Sequence, residues 1–147
     1  MVPAGGGSLL RADAQVTWFP PRTQAEHVDP ARFRAVTVSA TLFNSRRHTA
    51  RRTFTAGAVI ARLAQALNSL HADPGLSLHC PLLAGSYRIE FVSAAPAQPP
   101  VVAVPSECLI ASMSAGGRPQ PDLLDTGKPI AVITGLLGLK ASGAARH

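Results

Sequence analysis

Two cysteines, five histidines and one dense knot of arginines carry the reactive chemistry of this sequence. Cys80 and Cys108 stand in two predicted strands that flank a two-strand excursion. Antiparallel neighbours would bring such positions within bridging distance. A disulfide closing this 29-residue segment would add about 3.6 kcal/mol, through the loop entropy it removes from the unfolded chain. Two free, buried thiols are the alternative reading. With no C-x-x-C and a single neighbouring histidine, His79, zinc ligation is not expected.

The arginines come next. Arg46-Arg47-His48-Thr49-Ala50-Arg51-Arg52 holds four arginines in seven residues. As plain structure it is a solvated hairpin tip. As a site, it would bind phosphate or another polyanion through Arg46, Arg47, Arg51 and Arg52. No aromatic residue interleaves them, which argues against single-stranded nucleic acid, whose bases stack on rings.

The histidines at 27, 48, 71, 79 and 147 are scattered. His71 and His79 flank a Pro-Gly turn. A metal between them would need a third ligand, Asp73 or Glu107, and nothing in the sequence fixes either one. No metal or cofactor is therefore expected. The chain has no G-x-S-x-G, Walker loop, H-E-x-x-H or dinucleotide fingerprint. Its eight acids form no evident carboxylate pair for glycoside hydrolysis. The expectation is a non-enzymatic domain. An enzyme would need a site assembled only in three dimensions, with His71 or His79 beside a carboxylate or a serine.

Charge is unevenly placed. Residues 1–62 hold nine arginines against three acids, so the whole net charge of +6 belongs to this part. A basic half favours anionic surfaces such as nucleic acid, anionic lipid or wall polymer. Arginine outnumbers lysine 12 to 2, and with the excess of Ala and Pro this reads as GC-rich coding bias. No stretch reaches the roughly 18 apolar residues of a membrane helix. Met1 to Leu10 shows neither a standard signal peptide nor a lipobox cysteine, which taken literally indicates the cytoplasm.

The elements that must hold these side chains follow from periodicity. Val59, Ile60, Leu63, Leu67 and Leu70 fall on one helical stripe. Thr55 is the expected N-cap, and Asp73-Pro74-Gly75 stops the run. Before this helix, Arg34–Phe43 alternates as a half-buried strand, and Arg51–Phe54 returns as a second. After it come short strands at Leu76–Cys80, Tyr87–Phe91, Val101–Val104 and Leu109–Ser114, then an extended Arg118–Pro121. A last helix is predicted over Pro129–Leu139, capped by Asp125 or Thr126. Gly5-Gly6-Gly7 and Pro20-Pro21 make residues 1–31 a poorly ordered segment, with Trp18 expected to pack on the domain edge. Residues 32–140 form one domain and 141–147 a frayed tail. The fold class is α+β: a mostly antiparallel sheet of four to six strands with two helices on one face.

Several of these features occur together in a known pattern. They are the helix end Ala66-Leu67-Asn68-Ser69-Leu70, a Pro-Gly turn, His79-Cys80-Pro81, a Tyr87-x-Ile89-x-Phe91 strand, Cys108, and Gly116-Gly117-Arg118-Pro119-Gln120-Pro121. This resembles a family of small uncharacterised secreted proteins and lipoproteins of high-GC Gram-positive and related soil bacteria, over about residues 36–139. The resemblance implies an extracytoplasmic α+β domain with Cys80 bridged to Cys108, and it implies no reaction. The expected function is a secreted or cell-envelope accessory module that contacts anionic polymer or lipid through its arginine hairpin. The alternative is a cytoplasmic domain that binds nucleic acid or protein.

Overall fold

The structure, a computed structural model, describes residues 18–43, 47–76, 80 and 83–139. Seven strands form one antiparallel sheet: β1 (Phe33–Phe43), β2 (Arg47–Phe54), β3 (His71–Ala72), β4 (Gly85–Ser93), β5 (Val101–Pro105), β6 (Ile110–Ala115) and β7 (Arg118–Leu124). Their order across the sheet is β2-β1-β4-β5-β6-β7-β3. Two helices, α1 (Gly57–Asn68) and α2 (Lys128–Leu137), pack on one face. The α+β architecture is as expected, but seven strands exceed the four to six predicted.

The surplus has a local origin. Pro119 and Pro121 cannot donate to a ladder, so Arg118–Pro121 read only as extended. It is the start of β7, whose Leu123 is buried in the core. β3 is two residues long and too short to show a period. β2 begins at Arg47, four residues before the expected strand.

β1 shows why the two faces differ. Val36, Val38 and Ala40 are buried, while Thr37, Ser39 and Thr41 between them are half-buried. A strand points successive side chains to opposite faces, so this alternation sets one face to the core. Tyr87, Ile89 and Phe91 of β4 continue the buried row, with Ala103, Met113 and Leu123 beyond. Ile60, Leu63 and Leu67 of α1 and Ile133 of α2 close the core from the helix side. The stripe of α1 was therefore readable from spacing, but its cap was not. Ala56 takes the N-cap position and makes no side-chain bond. Gly127, at φ 80°, holds that position on α2, and Asp125 Oδ1 accepts from its N–H at 2.7 Å.

The chain before β1 is fastened to the end of α1. Arg22 Nη1 donates to the carbonyls of Leu67, Asn68 and Leu70 at 3.0, 2.9 and 2.9 Å. Carbonyls at and just past a helix end keep capacity to accept, and a cation is favoured there by the helix dipole. Asn68 grips the same segment from the other side. Its Oδ1 accepts from Val28 N–H and its Nδ2 donates to Val28 O, both at 2.8 Å. Residues 22–32 carry two 3-10 turns and this double clasp. The proline pair at 20–21 signalled a break, but a partner 46 residues away leaves no local mark. Trp18 is 71% exposed and does not pack on the domain edge. Residues 1–17 and the tail from 140 lie outside the described residues.

Candidate anion-binding site

The arginine cluster divides along a strand instead of gathering on a tip. Arg46 lies outside the described residues. Arg47, Arg51 and Arg52 belong to β2, in register with Phe43, Ser39 and Val38 of β1. Residues in register share a face. Val38 faces the core, so Arg52 lies on the helix side, where its guanidinium stands 5.2 Å from the centre of the Phe54 ring. Arg47 and Arg51 share the opposite face with Ser39. Of the three described arginines, Arg47 and Arg51 stand on one face and Arg52 on the other.

That opposite face carries no described helix. Its surface is a grid of small hydroxyl residues. Thr37 meets Thr53 at 2.8 Å and Thr41 meets Thr49 at 3.1 Å, oxygen to oxygen. Ser39 lies between Arg51 on one side and Arg88 of β4 on the other. Arg51 and Arg88 are thus two strand spacings apart, about 10 Å between backbones. Arg88 leans to Glu90, 3.6 Å away, and this pair offsets its charge. Among the described residues no carboxylate pairs with Arg47 or Arg51. An anion approaching this face meets two uncompensated guanidiniums, a third beside them and five hydroxyls. Each guanidinium is a planar fork suited to phosphate or carboxylate oxygens.

The cysteines are brought together as expected. Cys80 and Cys108 form a disulfide, with Cα atoms 5.1 Å apart. It is compatible with an oxidising compartment. It ties the β5–β6 connection to the segment entering β4. Glu107 reinforces the same junction: Oε2 accepts from Ala84 N–H at 2.7 Å and Oε1 from the Tyr87 hydroxyl at 2.8 Å. Burial, with the Glu107 contact added, pushes the Tyr87 phenol up to about 12.

The histidines do not converge into a metal site among the described residues. His71 stacks on Phe19, ring centres 4.4 Å apart, in a groove of about 340 Å³ shared with His27, Ser69 and Arg22. The Ser69 hydroxyl donates to Ala66 O within its own helix end, and His27 Nδ1 meets Thr23 O. His79 lies outside the described residues. No described helix is long and apolar enough to cross a membrane.

The chain matches no family model, no curated protein and no solved structure.

Proposed function

We propose that this domain is a secreted or cell-envelope accessory module that binds anionic groups on the sheet face opposite its helices. The observation that carries the reading is the placement of Arg47 and Arg51 on one side of β2, beside Ser39 and Arg88 and with no described carboxylate partner. A phosphate-bearing wall polymer or lipid headgroup is the fitting ligand chemistry, because guanidinium forks and hydroxyls both address phosphate oxygens. The compartment is supported by the Cys80–Cys108 disulfide and by the resemblance of residues 36–139 to exported proteins of high-GC bacteria.

The test is binding of the oxidised protein to soluble polyphosphate at rising salt. Affinity should fall steeply with ionic strength, since exposed charges are screened within about 10 Å at 0.1 M. Arg47→Glu with Arg51→Glu should lower affinity about tenfold or more, each reversed charge costing on the order of 1 kcal/mol near a surface. Equal retention by the double variant sinks the reading.

A further inference from the structure

Antiparallel pairing brings four chain ends to one end of the sheet. β1 finishes there at Phe43, β4 begins at Gly85, β5 finishes at Pro105 and β6 begins at Ile110. Large apolar side chains project at this end: Phe43 is 49% exposed, Leu83 39%, Val104 38% and Leu109 51%. Exposed apolar side chains gathered at one place mark an interaction surface.

They are held there by the backbone. Phe43 N–H donates to Ala84 O at 2.7 Å, next to Leu83. Ala84 N–H is bound by Glu107, and the disulfide fixes Cys108 beside Leu109. Leu109 O accepts from Asp125 N–H at 2.7 Å. Leu109 is also the one described non-glycine residue with positive φ, at 63°. A β-carbon is disfavoured there by about 1–2 kcal/mol, so this position would suit glycine. A leucine stands there instead, strained and half in solvent.

Phe43 lies directly across from Arg47, and Arg51 follows on the same face. The apolar tips thus have uncompensated cations behind them. Of the acids at this end, Glu107 is engaged by Tyr87 and Ala84, and Asp125 is buried and accepts from Gly127 N–H. This layout matches the interface of an anionic bilayer, where apolar side chains enter the headgroup region and cations meet lipid phosphates. We infer that this end of the domain docks on an anionic lipid surface through Phe43, Leu83 and Leu109, with Arg47 and Arg51 against the headgroups. The inference rests on the anion-binding reading and assigns that site its partner.

The experiment is co-sedimentation of the oxidised full chain with vesicles of phosphatidylcholine alone or mixed with phosphatidylglycerol. Polyphosphate binding and the oligomeric state are measured in parallel. Phe43→Ser with Leu109→Gly is the deciding variant, since glycine relieves the backbone at 109 and preserves the fold. The native chain should sediment with the anionic vesicles and not with phosphatidylcholine alone. The double variant should bind anionic vesicles about tenfold more weakly or worse, having lost two inserted side chains, with polyphosphate binding unchanged. Equal vesicle binding by variant and native chain overturns the docking and leaves anion binding standing. So does polyphosphate binding without vesicle binding. A native dimer that Phe43→Ser with Leu109→Gly makes monomeric assigns this end to a second copy and overturns it too. Binding to neither ligand removes both readings.

Discussion

Asn68 lies one position past the apolar stripe of α1, yet its amide closes two hydrogen bonds on the Val28 backbone. Asn68→Ala should cost about 1–3 kcal/mol, because a half-buried N–H and carbonyl lose their partners. Hydrogen exchange should then quicken in residues 22–31 before it does in β1. Uniform quickening would mean that the clasp is not local. Tyr87 gives a prediction in pH. Burial, then the Glu107 contact, raises its phenol to about 12, against an ordinary value of about 10. The folded state therefore favours the neutral form. The stability it contributes is complete below about pH 10 and is lost as pH rises through about 12. Absorbance titration of the single tyrosine should show the late midpoint, and Glu107→Gln should bring it down.

β1 and α1 were legible because each keeps one period for several turns or residue pairs, Val36–Val38–Ala40 in one and Ile60–Leu63–Leu67 in the other. β7 was legible only as extended chain, because its two prolines hide a pairing that β6 and β3 supply from elsewhere in the sequence. The arginine site was half legible. The charge run was plain, but its division between two faces depends on the register of Arg51 with Ser39 and of Arg52 with Val38. Nothing in the sequence fixes where the hairpin turns. The apolar end was not read at all, since Phe43, Leu83, Val104 and Leu109 are far apart until strand pairing gathers them. The Cys80–Cys108 bridge was expected from two strand positions, but both cysteines lie in connections outside the strands, and the bridge ties two of those places together. Its reduction should lower stability by about 3–4 kcal/mol, seen as a fall in Tm with reductant. Cys80→Ala with Cys108→Ala should show the same fall and no further response to reductant.

The molecule is a single sheet with its helices on one side, and Arg47 and Arg51 place positive charge on the other side, along β2. β2 also occupies one border of the sheet, with no strand beyond it among the described residues. Its outer row of N–H and carbonyl groups is a template for another chain, and charged side chains are a usual guard against that. Arg47, Arg51 and Arg52 would therefore also serve as gatekeepers against aggregation. Their replacement by alanine would leave a stretch rich in Thr, Ala and Phe along an open border, the composition that favours stacked strands. Triple-alanine protein should form concentration-dependent oligomers or fibres in light scattering and dye binding, while the glutamate-reversed protein should stay monomeric. The residues proposed to meet an anionic surface would thus also keep the free protein soluble before it reaches one.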